Sequence, residues 1–205
     1  KEDAATEISS NGSSSSNNNN EGGSVDVKSE LKTPWVSIHK ALTESGLKSL
    51  SAEEAKQMVD SNKAVVVDVN ADYYKEHINP SVSVPLYRSI KGKDAWSSPN
   101  RFFSKFTLLN WPEINPNFAA DAKDALEGEN RTVIVCCSGG GTLSTESTAY
   151  GRESKSLRAI HLMNMLGIKN VVHLDGGVVG WKTAGLPMGG KKHKVVKKGK
   201  WFVKV

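Results

Sequence analysis

The chain has 205 residues, 38% of them hydrophobic and 24% charged, a length and an apolar share that fit one domain with polar appendages. Its two cysteines, Cys136 and Cys137, are adjacent, which excludes a disulfide framework and points to a reducing compartment, and no apolar run reaches the length of a bilayer span. The net charge of +5 belongs to the ends: residues 189–205 hold seven lysines and no acid, residues 1–30 hold two lysines against six acids, and about +2 is left for residues 31–188.

Residues 1–30 read as a disordered Ser/Asn-rich N-terminal segment, since they hold too little apolar surface to offset the entropy of ordering. The first residue is Lys1 rather than Met, as expected of a processed precursor with a targeting peptide upstream. Residues 31–188 form the domain. Its lead-in segment, 31–50, carries Trp35, Val36, Ile38, Leu42 and Leu47 in a weak helical pattern that would pack on the domain. Ser51-Ala-Glu-Glu54 is a capping box and opens a helix over about 52–61, with Ala55, Met58 and Val59 on one face.

Ala64-Val-Val-Val-Asp68-Val69 is β-branched and predicts a strand buried on both faces. Asp68 ends it at the carboxyl edge, where capping the turn or pairing with a cation is the default role and a direct part in chemistry the alternative. His77 precedes Asn79-Pro80 and is read as fixing its loop by a hydrogen bond rather than as a general base. Val82-Ser-Val84 predicts a short edge strand that Pro85 terminates. Residues 87–115 are dense in aromatic and basic side chains, a composition that packs on a domain more often than it binds nucleic acid. A helix is predicted after Asn115, with Pro116 near its first position and Gly128 beyond its end.

Val133 to Ser156, VIVCCSGGGTLSTESTAYGRESKS, carries the candidate chemistry. Val133, Ile134 and Val135 predict a second buried strand, so Cys137 falls at the carboxyl edge of a parallel sheet, where ligands bind and helix N-termini create positive potential. A thiol there is biased toward the nucleophilic thiolate, with Arg152 and Lys155 as nearby charge. Cys136, inside the strand, reads as a small core residue. Adjacent cysteines without a CxxC or a close Cys/His pair do not make a metal site, and none is expected.

Lys155 to Leu166 predicts a helix ended by Gly167, Val171-Val-His-Leu174 a strand, and Gly176 to Trp181 a turn into a final short helix before Gly185-Leu-Pro187. Alternating strands and helices call for an α/β fold, a parallel sheet with helices on both faces. Residues 189–205 form a basic C-terminal tail, solvated by default.

Asp68-Val69, Tyr74, His77-Ile-Asn-Pro80 and Val84-Pro85, then a Cys after a strand, then Gly176-Gly-Val-Val-Gly-Trp181 and Gly185-Leu-Pro187, resemble the ordered signatures of the rhodanese-like family over residues 50–188. The Cys-Ser-Gly-Gly-Gly-Thr-Leu start and the late Ser154-Lys-Ser-Leu157 resemble its plant and algal chloroplast branch. The resemblance implies a rhodanese-like fold with about five parallel strands. It implies a sulfurtransferase that needs no cofactor, in which Cys137 carries sulfane sulfur as a persulfide from a small donor such as thiosulfate or mercaptopyruvate to a thiol or protein acceptor. The anion cradle would be the amides of Ser138, Gly139, Gly140, Gly141 and Thr142 with Ser154, Lys155, Ser156 and Leu157, and Asp68 and His77 would support it. The implied location is the plastid, in the stroma or at the thylakoid.

The chain departs from the family pattern at several points. The family places Arg and Ser five and six residues after the Cys, whereas Lys155 and Ser156 stand 18 and 19 after Cys137, an insertion of 13 residues that either bulges out or enlarges the pocket. Lys155 lacks the guanidinium fork, and Asn70 stands where the family has Arg. Two other readings remain: a non-catalytic or weakly catalytic module docked through Lys191 to Lys204 on an acidic protein or anionic membrane, and a rhodanese-like phosphatase, against which the long loop argues.

Overall fold

Two β-branched runs, Ala64–Asp68 and Thr132–Cys136, lie side by side in parallel at the centre of the fold, with Asp68 opposite Cys136. The structure, a computed structural model, describes residues 25–88 and 113–191. Its elements in chain order are α1 (Val27–Glu30), α2 (Trp35–Glu44), β1 (Ser49–Leu50), α3 (Ala52–Asp60), β2 (Ala64–Asp68), β3 (His77–Ile78), β4 (Val82–Ser83), β5 (Tyr87–Arg88), β6 (Glu113–Ile114), α4 (Phe118–Ala125), β7 (Thr132–Cys136), α5 (Lys155–Met165), β8 (Val171–Leu174), α6 (Gly177–Thr183) and β9 (Met188–Gly189). The main sheet has five strands in the order β1-β8-β7-β2-β4, all parallel.

Side chains alternate across the sheet and build two cores. On one face Val67, Val69, Val133, Val135 and Cys137 meet Ile38 and Leu42 of α2, Phe118 of α4 and Leu157, Ile160 and Met163 of α5. On the other, Ala64, Val66, Ile134 and Cys136 meet Ala52 and Ala55 of α3 and Val178 and Trp181 of α6. The predicted parallel sheet with helices on both faces is the observed one. The capping box at Ser51 is formed in full, with Ser51 Oγ accepting from Glu54 N and Glu54 Oε2 accepting from Ser51 N.

The structure corrects three boundaries. Residues 25–30, placed in the disordered segment, contain α1, whose Val27 is buried in the first core, and Asp26 caps it by accepting from Lys28 N; two valines in a polar tract give no periodicity to read. The predicted break between residues 188 and 189 falls inside β9, which pairs antiparallel with β3, and Lys191 N then donates to Tyr74 O, so the domain runs past its predicted end. Pro116 precedes the helix rather than opening it, since α4 has Asn117 as its N-cap. Most of the aromatic stretch 87–115, residues 1–24 and the tail from residue 192 lie outside the described residues.

Trp181 anchors the second core: it is fully buried, and its indole Nε1 donates to Pro187 O at 2.9 Å. Trp181→Ala therefore leaves a cavity and takes from the Pro187 carbonyl one of its two donors, the other being Asn79 N at 3.1 Å. It is expected to cost ~3–5 kcal/mol in urea denaturation, and a cost under ~1 kcal/mol would contradict this anchoring role.

Candidate active site at the Cys137 loop

The backbone leaves β7 at Cys136 and enters a glycine loop, and the two cysteines point to opposite faces of the sheet. Cys136 is fully excluded from solvent in the second core, and burial pushes its thiol well up, which makes it a poor nucleophile. Cys137 belongs to the first face and is 4% exposed, while the Ser138 and Gly139 that follow are exposed. The hydroxyl of Ser156, in the first turn of α5, donates to Cys137 Sγ at 3.3 Å. That contact places the N-terminus of an 11-residue helix beside the sulfur, where amide dipoles favour negative charge.

Gly140 and Gly141 both have φ near +74°, and a Cβ on either would strike backbone: Gly140 against the amides of Gly176 and Gly177 at 2.7 Å, Gly141 against Arg152 O at 2.6 Å. The glycine loop is thus seated on the turn that opens α6, and Val178 N and Val179 N donate to the carbonyls of Cys137 and Ser138. Gly140 O has three polar neighbours within reach, His173 Nε2 at 2.5 Å, Ser154 Oγ at 2.6 Å and Ser156 Oγ at 3.1 Å.

Of the amides named for the anion cradle, four are already engaged. Ser138 N donates to Asn70 Oδ1, Gly141 N to Gly139 O, Thr142 N to Arg152 O, and Leu157 N to the Ser154 side chain that caps α5. Among the described residues, the amides of Gly139, Gly140, Ser154, Lys155 and Ser156 have no acceptor, and they are the ones left for an anion. Lys155 itself is exposed and holds its ammonium 5.8 Å from the Tyr87 ring centre, and the Arg152 side chain is also exposed.

The insertion bulges outward. Thr142 and Arg152 exchange both backbone hydrogen bonds, at 2.9 and 2.8 Å, and close a neck beyond which residues 144–150 are exposed. The base of the bulge is fastened to α2: Trp35 Nε1 donates to Tyr150 O at 2.8 Å, His39 Nε2 lies 2.9 Å from Leu143 O, and the His39 ring packs edge-on against Trp35 and Tyr150.

Asp68 is fully buried at the end of β2. Its Oδ1 accepts from Asn70 N and Nδ2, and Asn70 Oδ1 in turn accepts from Ser138 N and Oγ, so β2 is tied to the Cys137 loop through one amide. Asp68 Oδ2 has no partner among the described residues. His77 stacks on Tyr73, with ring centres 3.9 Å apart, and its Nδ1 lies 2.8 Å from Tyr73 O, a loop-holding arrangement. Reading the sequence did not single out Trp35, His39, Ser49 and His173 for the site; of these His173 left a signal, a polar residue inside an apolar strand that must find partners. A separate cleft of about 680 Å³ opens at the amino-terminal ends of β7 and β8, away from Cys137.

The family model for the rhodanese-like domain matches residues 51–184. The chain belongs to the rhodanese-like domain family. It is 31% identical over 164 residues to rhodanese-like domain-containing protein 14, chloroplastic, of Arabidopsis thaliana, covering 78% of this chain and 73% of the relative. A second Arabidopsis protein, rhodanese-like domain-containing protein 9, chloroplastic, is 27% identical over 100 residues, 45% of this chain and 43% of that one. Among solved structures it is similar to the rhodanese-like domain of an Anabaena protein, with 16% identity, a TM-score of 0.43, and 77% and 91% of the two chains covered. It is also similar to a thiosulfate sulfurtransferase from Pseudomonas aeruginosa, with 22% identity, a TM-score of 0.45, and 81% and 23% covered.

In this rhodanese-like domain burial pushes the Asp68 carboxyl up to about 6, against the pull of the two Asn70 hydrogen bonds and of His77. The folded state thus holds this proton more tightly than the unfolded one. The group's contribution to stability is fully present below about pH 4 and is lost as pH rises through about 6. Asp68→Asn is expected to flatten the stability profile between about pH 4 and 7 in urea denaturation, by roughly 3 kcal/mol over the window. A wild-type slope that survives the substitution would contradict the assignment.

Proposed function

We propose that this rhodanese-like domain is a sulfurtransferase that carries sulfane sulfur as a persulfide on Cys137 and passes it to a thiophilic acceptor. The observation that carries the reading is the Ser156 hydroxyl 3.3 Å from Cys137 Sγ, at the start of a helix and beside amides without acceptors. A thiolate or persulfide there gains a hydrogen bond and a favourable dipole. In the first half-reaction the Cys137 thiolate attacks the outer sulfur of thiosulfate. The new S–S bond forms as the old one breaks, and sulfite leaves with the electron pair. In the second, an acceptor thiolate attacks the outer persulfide sulfur and Cys137 departs as thiolate.

Closure of the insertion at Thr142 and Arg152 supports this reading, because it keeps the added residues out of the loop that surrounds the sulfur. The chloroplastic relatives in Arabidopsis support a plastid location, within which the stroma or the thylakoid surface is the place proposed here. A second reading, a binding module whose thiol is structural and whose tail from Lys191 onward docks an acidic protein or anionic membrane, draws support from the 4% exposure of Cys137.

Intact-protein mass spectrometry after exposure to thiosulfate and to mercaptopyruvate separates the two. One added sulfur is expected on the wild type and on Cys136→Ser, and none on Cys137→Ser. No adduct from either donor on folded protein with free thiols would overturn the sulfurtransferase reading in favour of the module.

A further inference from the structure

His173 is a fully buried titratable group that the sulfur chemistry leaves unused. It sits in β8 between β1 and β7, and its ring nitrogens have different partners: Nδ1 lies 3.1 Å from Ser49 Oγ and Nε2 lies 2.5 Å from Gly140 O. A carbonyl oxygen can only accept, so Nε2 carries the proton, and in the neutral ring Nδ1 accepts from the Ser49 hydroxyl. Burial pushes His173 down, toward that neutral ring, against the opposing pull of the Gly140 hydrogen bond and of Asp175.

The count of protons and lone pairs around Gly140 gives the ring its consequence. Ser156 has one hydroxyl proton and three acceptors within reach: Ser154 Oγ at 3.0 Å, Gly140 O at 3.1 Å and Cys137 Sγ at 3.3 Å. Gly140 O has two lone pairs, and the two shortest donors, His173 Nε2 and Ser154 Oγ, fill them. Ser154 Oγ already receives Leu157 N. The second lone pair of Ser154 Oγ and the Cys137 sulfur are then what remain for the Ser156 proton, and a negatively charged sulfur outcompetes a neutral hydroxyl as acceptor.

We propose that His173 is a positioning residue for Cys137: by occupying the Gly140 carbonyl it keeps the Ser156 hydroxyl directed at the sulfur. This rests on the reading of Cys137 as the sulfur carrier, but it is a statement about a hydrogen bond and is testable without sulfur transfer. The titratable groups around the loop are Asp68 on β2, Cys136 on β7, Asp175 after β8, Lys155 in the first turn of α5, and Arg158 one turn on, which pairs with Glu153. None of them is altered in the variants below.

The measurement is the pH profile of iodoacetamide alkylation at Cys137 in the full chain, read by peptide mass spectrometry. His173→Leu is expected to move the midpoint up by about one pH unit and to slow alkylation at pH 7 by about tenfold. Ser156→Ala is expected to do the same, and the double variant to add nothing further, because both remove one hydrogen bond. His173→Gln, which can present a donor nitrogen at similar reach, is expected to keep the wild-type midpoint. Ser49→Ala, which removes the hydroxyl holding the ring at Nδ1 and is distant from the sulfur, is expected to shift the midpoint the same way by less, and it serves if His173→Leu does not fold. An unshifted midpoint in folded His173→Leu or Ser49→Ala, or shifts of His173→Leu and Ser156→Ala that add, would overturn the proposal. Sulfur loading from thiosulfate on the same samples separates the two claims: a wild type that loads sulfur but ignores His173 overturns only the positioning role, and one that loads none overturns only the carrier reading.

Discussion

The Gly140 carbonyl is where three remote parts of the chain meet. It accepts from Ser154 at the cap of α5 and from the histidine inside β8, has the Ser156 hydroxyl 3.1 Å away, and the backbone bearing it lies so close to the Gly176-Gly177 turn that a side chain on Gly140 would strike that turn's amides. A buried carbonyl without partners is costly, and a carbonyl with both lone pairs filled is fixed in direction. Because the Gly140 carbonyl is fixed, the peptide chain from Cys137 to Thr142 has one course, and the sulfur, the Ser156 hydroxyl and the free amides of Gly139 and Gly140 hold one relative placement. Preorganisation of this kind allows weak individual contacts to stabilise a charged sulfur without rearrangement during reaction.

The same constraint explains how the loop tolerates 13 extra residues. Gly141, with no room for a Cβ beside Arg152 O and Ser154, brings the two limbs of the insertion together, and the Thr142–Arg152 pair ties them. Only what lies beyond that neck is free to vary, and its base rests on α2 through Trp35 and His39. The lead-in helix therefore does more than fill the first core: it is the shelf on which the insertion lies. Loop closure entropy grows slowly with length, so a long excursion fastened at its neck costs the fold little.

Much of this was legible in the sequence because it is local. The β-branched runs at Val65–Val67 and Val133–Val135, the capping box at Ser51, the helix from Lys155 and the order of the glycine turns each follow from residues a few positions apart, and they placed Cys137 at a sheet edge beside a helix N-terminus. What escaped notice depends on contacts between distant positions. His173 reaches Gly140 across 33 residues and Trp35 reaches Tyr150 across 115, and nothing in either neighbourhood encodes the partner. The two-residue strands β1, β3 and β9 are too short to carry a period, and α1 shows in the sequence only as Val25 and Val27 among polar residues. Two of the candidate loop amides are taken for a non-local reason, Ser138 N by Asn70 and Thr142 N by Arg152.

Central to this account is that the insertion is excluded from the sulfur site by its own neck. The most direct measurement replaces residues 144–150 with a two-glycine link, leaving Thr142 and Arg152 in place, and follows sulfur loading of Cys137 from thiosulfate by intact mass. A loading rate within about threefold of the wild type is the predicted result. Loss of loading in a variant that remains folded would mean that the insertion shapes the pocket, and the account would be wrong.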